Sequence, residues 1–261
     1  MGSPISLSVT IITLNEERNI GRCLDSVAPI ADEIVVVDSA SSDRTQEICR
    51  ARSVRLIEQE FLGYAQQKNF ATDQASYRHI LSLDADECLS PDLAKLILEI
   101  KHDWTADGYT MNRHNNYYGH WMRHGSLYPD RKLRLWNRDK GRWQGTHVHE
   151  KVIMQSGAVV KHLGADLQHY AYDSIEAHVH QANRFSSLAA RAYHDLGKGS
   201  TLAGLLARPV LRLCRDYFLR RGFLDGFPGF AACVINAHMT FLKYAKQREL
   251  QKLLDSKHRG P

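Results

Sequence analysis

The run Ile80-Leu81-Ser82-Leu83-Asp84-Ala85-Asp86-Glu87 decides how this chain is read. Its apolar residues have the length of a buried strand, and two carboxylates follow where that strand would end. Strand side chains alternate faces, so Asp84 and Asp86 point the same way if the extended conformation persists. Like charges side by side repel, and a hard divalent cation carrying a diphosphate would relieve the repulsion. The competing reading is an acidic turn into a helix, because Ser90-Pro91-Asp92 is a good helix start.

What lies upstream favours the first reading. Strand signals at Ser8–Thr13, Glu33–Asp38 and Val54–Glu58 alternate with helical stretches at Glu16–Ser26, Thr45–Arg52 and Tyr64–Ala75. Near-continuous apolar strands separated by helices predict a mainly parallel sheet with helices on both faces. Ligands of such sheets bind at the carboxyl ends of the strands. The polar residues gather there: Asn15 and Glu16 after the first strand, Asp38 after the second, Asp84 and Asp86 after the strand from Ile80. No Gly-x-Gly-x-x-Gly follows the first strand and no Gly-Lys-Ser/Thr loop is present, so neither a common dinucleotide fold nor a P-loop is expected. A sugar-nucleotidyltransferase would carry a glycine-rich, basic loop where Asn15-Glu16-Glu17 stands.

The chain has 261 residues, 43% hydrophobic and 24% charged, which is ordinary globular composition. Its five cysteines are scattered without Cys-x-x-Cys spacing and read as reduced thiols of a cytosolic protein. The N-terminus runs almost at once into the first strand, so no signal peptide is expected, and Met1-Gly2-Ser3 is compatible with a cloning remnant. No apolar run reaches membrane-spanning length. From Gly108 to about Val160 short strands (Tyr109–Arg113, Lys132–Trp136) mix with loops rich in aromatic residues. Tyr117, Tyr118, Trp121, Tyr128, Trp136 and Trp143 are there either as core or as platforms for sugar rings. After Leu167 the signals are helical: Ser174–Leu196, Leu202–Arg220 and Gly229–Gln247.

Taken together, Val9-Thr10-Ile11-Ile12-Thr13-Leu14-Asn15-Glu16, Val35-Val36-Val37-Asp38-Ser39 with Ser42-Asp43 and Thr45, and Asp84-Ala85-Asp86 resemble the family 2 glycosyltransferases of the GT-A fold. Gly63-Tyr64-Ala65-Gln66-Gln67-Lys68-Asn69, Tyr128-Pro129-Asp130, Leu133-Arg134-Leu135-Trp136 and His147-Val148-His149-Glu150 are similar to the branch that contains lipopolysaccharide-core β-1,4-glucosyltransferases. The resemblance implies an α/β GT-A domain over residues 1–172 and a helical C-terminal extension over 173–261. It implies an inverting, metal-dependent enzyme that moves a hexose, glucose first, from a UDP-sugar to a glycan or glycolipid hydroxyl, with Mn2+ or Mg2+ as cofactor. The alternatives are a transferase acting on polyprenyl phosphate or another cell-surface glycan, and a non-catalytic nucleotide-binding module. The resemblance places Leu14, Glu16, Asp38, Lys68, Asp84 and Arg134 at the nucleotide-sugar, and Asp86, Asp84 and His169 at the metal, with His162 as competitor to His169. Glu150 is the base that would deprotonate the acceptor hydroxyl, although the family more often has Glu-Asp there. Arg131 is a second candidate, beside Arg134, for the diphosphate or an anionic acceptor.

The net charge is +5, and Arg208, Arg212, Arg215, Arg220 and Arg221 face one acid, Asp216, within one short segment. That local excess suggests an anionic partner such as a membrane surface, a phosphorylated glycan or nucleic acid. Interleaved with leucines and followed by Phe223, Phe227 and Phe230, the arginines predict peripheral membrane contact, which the resemblance implies is with the inner face of a bacterial cytoplasmic membrane, with no nucleic acid bound. Oligomeric state is not specified by any of these signals.

Overall fold

A computed structural model describes residues 4–145, 150–197, 199 and 201–258, the side chains of 254–258 excepted. The chain divides into two compact units, Met1–Asn115 with Asp130–Ala171, and Asn116–Pro129 with Tyr172–Pro261.

The first unit is built on one twisted sheet. Strands β1 (Leu7–Thr13), β2 (Glu33–Asp38), β3 (Arg55–Glu58) and β4 (His79–Asp84) are parallel in the order β3-β2-β1-β4. Helices α1 (Ile20–Val27), α2 (Thr45–Arg50) and α3 (Tyr64–Gln74) make the crossovers. The sheet continues from β4 through β8 (Asp130–Asn137), β6 (Gly108–Tyr117) and β11 (Val160–Tyr172) to β5 (Glu87–Leu89), with β4 antiparallel to β8 and β5 antiparallel to β11. Helix α4 (Pro91–His102) starts as its sequence predicts, with Pro91 in the first turn and the Ser90 hydroxyl accepting from the Leu93 amide. A separate ribbon pairs β9 (Gly141–Gln144) with β10 (Lys151–Met154). Val9, Ile11, Leu81 and Leu83 are fully buried at the sheet centre with Ile20, Leu24 and Leu93 from the helices. Burial on both faces explains why these strands read as nearly continuous apolar runs.

Two local departures matter for the site. Helix α1 begins at Ile20, later than its pattern predicts, because the Glu16 and Glu17 amides donate to Thr45 Oγ1 and Asp43 Oδ2. Those bonds hold the chain against the loop after β2 before it can turn into a helix. The second is that the extended conformation does not persist past Asp84: β4 stops there and Ala85–Asp86 form a turn.

The second unit carries β7 (His120–Trp121), which pairs with Asn116 and Tyr117, and the helices α5 (Ile175–Asp195), α6 (Leu202–Cys214) and α7 (Gly226–His258). Helix α6 is shorter than predicted. After Cys214 the backbone widens into a π turn over Arg215–Leu219, followed by a 3₁₀ turn over Gly222–Asp225. Helix α7 starts at Gly226, so Phe227 and Phe230 lie on a helix and not in a loop. Among the described residues no helix is long and apolar enough to cross a membrane. The sugar-platform option fails for Tyr117, Trp136 and Trp143, whose rings are buried.

Candidate active site

The loops after β1 and β2 are laced together at the carboxyl edge of the sheet. The Asn15 amide donates to Ser41 Oγ, and Asn15 Oδ1 accepts from the Ser42 amide, each at 2.8 Å. Asn15 therefore braces the neighbouring loop, with its φ at 55°. Glu16 Oε2 accepts from Asn19, and Leu14 is half exposed beside it. Asp38 is buried at the tip of β2, and its oxygens accept from the Ser41 amide, the Ser41 hydroxyl and Gln46 Nε2. Those bonds give the loop its shape.

The exit of β4 forms a charged cluster. Lys68, projecting from α3, is almost fully buried and reaches Asp84 at 2.8 Å and Glu150 at 3.1 Å. Arg134 on β8 donates to Asp84 Oδ2 at 2.8 Å and to Glu87 Oε1 at 2.6 Å. Arg113 on β6 joins Glu87 at 3.4 Å and Asp130 at 2.8 Å. The Trp143 ring lies below Lys68 and Arg134, 4.5 and 5.4 Å from the cationic groups, and adds its negative face to their stabilisation. Burial by itself would raise the Asp84 carboxyl, but Lys68 and Arg134 hold it well below the usual carboxylate range. On Arg134 burial alone would favour the neutral form, but Glu87 and Asp84 outweigh it and the guanidinium stays charged.

Asp86 belongs to a different group of partners. It sits in the turn after Asp84, and its Oδ2 faces His169 Nε2 at 3.2 Å, while its Oδ1 is buried without a hydrogen bond among the described residues. His169 Nδ1 is engaged by Asn115 Oδ1, which fixes the ring so that Nε2 points at Asp86. The shared face expected for Asp84 and Asp86 is thus absent: the turn at Ala85 sends one to two cations and the other to an imidazole. Of the two candidate histidines, His169 faces Asp86, whereas His162 is exposed and lies 3.1 Å from Thr110 Oγ1. Among the described residues no three His, Cys, Asp or Glu side chains form a metal-binding group. The donors beside Asp86 do suit a divalent ion that takes its remaining ligands from phosphate and water: one unpaired carboxylate oxygen and one oriented imidazole nitrogen.

Glu150 precedes β10, and Thr146–His149 before it, including His147 and His149 of the motif, lie outside the described residues. Its Oε1 meets Lys68, and its Oε2 is buried without a hydrogen bond among the described residues. Arg131 is exposed on β8. Sequence reading missed Glu87, Arg113 and Asn115. Glu87 had a signal, standing next to the acidic pair, and its carboxylate accepts from the Asp84 amide at 3.1 Å. Arg113 and Asn115 had none, being polar residues of an ordinary strand.

The chain matches the sequence pattern of glycosyl transferase family 2 over residues 8–162. It is 32% identical over 254 residues to an uncharacterized glycosyltransferase of Rickettsia typhi, covering 94% of this chain and 87% of that protein. It is 30% identical over 251 residues to the lipopolysaccharide core biosynthesis glycosyltransferase LpsC of Rhizobium meliloti, covering 93% and 92%. Among solved structures, residues 1–349 of S. aureus TarS in complex with UDP superpose with a TM-score of 0.44 at 16% identity, covering 94% of this chain and 92% of that one. The family pattern spans more than half of the chain and ends within the strand that carries His169, so the sheet and the strand exits described above are those of a glycosyltransferase: the chain belongs to glycosyl transferase family 2.

Proposed function

We propose that this glycosyltransferase is an inverting hexosyltransferase that uses a UDP-sugar, UDP-glucose first, and a hydroxyl of a membrane-borne glycan or glycolipid in lipopolysaccharide core assembly. The observation that carries the reading is the convergence of Lys68, Asp84, Arg134 and Glu150 beside the Asp86–His169 pair. The likeness to LpsC along nearly the whole of both chains supports the acceptor class. The partial likeness to a dolichyl-phosphate hexose transferase of Haloferax volcanii, 34% identical over 37% of this chain, favours polyprenyl phosphate as the second choice.

In this reading Glu16 and Leu14 meet the nucleoside, and Asp38 holds the loop that receives it. Asp86 and His169 would hold the Mn2+ or Mg2+ ion, which when bound neutralises the diphosphate leaving group. Lys68 and Arg134 turn part of their positive charge from Asp84 to the donor phosphates. Asp84, kept ionised by both, fixes where those cations sit. Glu150 accepts the acceptor hydroxyl proton as that oxygen attacks the anomeric carbon from the face opposite the departing diphosphate, so configuration inverts. A panel of nucleotide sugars with a lipopolysaccharide core acceptor, scored for product and its anomeric configuration, tests this. Inverted product from UDP-glucose is expected. Retained configuration, or transfer only to polyprenyl phosphate, refutes the reading as stated.

A further inference from the structure

The second unit displays a set of large apolar side chains on a closely packed turn and the start of the helix that follows it. Phe218, Leu219, Phe223, Leu224 and Phe227 are between 45% and 80% exposed. The turn that carries them closes through Gly222, where a Cβ would lie 2.8 Å from both the Asp216 carbonyl and Cys233 Sγ, and Gly229, where a Cβ would collide with the Gly222 carbonyl. Arg221 adopts φ 57° to let the chain enter. Buried Asp216 is gripped by Arg212 at 2.5 Å and Arg215 at 2.8 Å, and buried Asp225 accepts the Arg123 and His124 amides. Arg208 hydrogen-bonds the Tyr244 hydroxyl and lies over its ring.

These bonds redistribute the arginine cluster. Arg208, Arg212 and Arg215 have partners within the unit, whereas Arg220 and Arg221 are exposed and make no ion pair among the described residues. Between residues 196 and 248 the acids are Asp216 and Asp225, and both are buried. Along this stretch of chain the apolar turn is therefore flanked by exposed arginines and by no exposed carboxylate. Several large apolar side chains exposed together mark an interaction surface. Exposed apolar side chains next in sequence to two exposed arginines that make no ion pair among the described residues match a surface that is apolar below and anionic at its rim.

We infer that the turn Phe218–Phe227 enters the interface of an anionic lipid bilayer, with Arg220 and Arg221 on the headgroup phosphates. The inference shares with the proposed function only the membrane location of the acceptor. Its test needs neither donor nor acceptor, so the two fail separately. The full chain is co-sedimented with phosphatidylcholine vesicles and with vesicles in which part of that lipid is phosphatidylglycerol, at low and high salt. Binding to the anionic vesicles, weakened by salt, is expected. Arg220→Ser with Arg221→Ser should weaken it by roughly thirtyfold, and Leu219→Ser with Phe227→Ser by about tenfold or more. All four positions are exposed, so thermal unfolding of both variants should match the parent protein. No binding to anionic vesicles at low salt overturns the inference, as does binding that neither double variant changes. A concentration-dependent dimer abolished by Leu219→Ser with Phe227→Ser, without vesicle binding, would assign the turn to a second copy of the chain instead.

Discussion

Lys68 contacts two carboxylates, Asp84 and Glu150, and shares Asp84 with Arg134, and in the proposed mechanism this divides the labour among the acids of the site. Of the two carboxylates on Lys68, Asp84 is shared with Arg134, whereas Glu150 keeps one oxygen without a hydrogen bond among the described residues. A base needs such an oxygen within reach of the acceptor proton. Glu150→Gln keeps the size and the contact to Lys68 but removes basicity, so turnover should fall by about 10²- to 10⁴-fold while UDP binding persists. Steady-state rates and calorimetric titration with UDP check the two halves. An unchanged rate would move the role elsewhere. Asp130 is poorly suited to take it, since Arg113 and Lys132 pair with it and hold its carboxyl below the usual range against the effect of burial. Asp166, within 3.5 Å of His114, would be the next candidate.

At the scale of elements, α5 is tied into the second unit by a buried histidine. His178 Nδ1 lies 3.0 Å from the Tyr117 hydroxyl, and its ring stacks on Tyr172 at 4.1 Å. Burial pushes its pKa down from 6.5 to about 4. Below pH 6.5 the unfolded chain therefore binds a proton that the folded one refuses, so stability must fall as the pH drops from 6.5 towards 4. The loss amounts to roughly 3 kcal/mol by the foot of that window. His178→Gln should flatten the profile there in denaturant unfolding followed from pH 7 to pH 4. The Asp84 carboxyl acts in another window: its folded pKa is lowered, so the stability it lends is present above its unfolded value of 3.8 and is lost at more acid pH. A profile that keeps its slope between pH 6.5 and 4 in the variant would show that His178 is not the titrating group.

For the whole molecule, donor binding and stability are one measurement. A ligand that binds only the folded chain raises its unfolding free energy, by roughly 2.7 kcal/mol at a hundred times its Kd. UDP with manganese should do this, and Asp86→Ala should remove the part of the gain that depends on manganese while leaving the unliganded stability near that of the parent. If UDP stabilises the parent equally with and without manganese, Asp86 and His169 hold no ion.

The alternation of strands and helices, the polar strand exits and the family were all determined by the sequence alone, because each is written in the period and chemistry of neighbouring residues. Leu81 and Leu83 announce a buried strand wherever they occur in such a run, and Ser90-Pro91 announces a helix. The tertiary structure decided what those residues face. Glu150 lies 82 residues from Lys68, and His169 lies 83 from Asp86, so no local pattern could show that the two acids of one motif would take different partners. It also decided that Tyr117, Trp136 and Trp143 are core and that two arginines of the basic segment hold Asp216. The reason is physical: a strand or helix is selected by interactions within a few residues. The protonation, burial and partner of a side chain are set by whatever the packed chain brings into the same few ångströms.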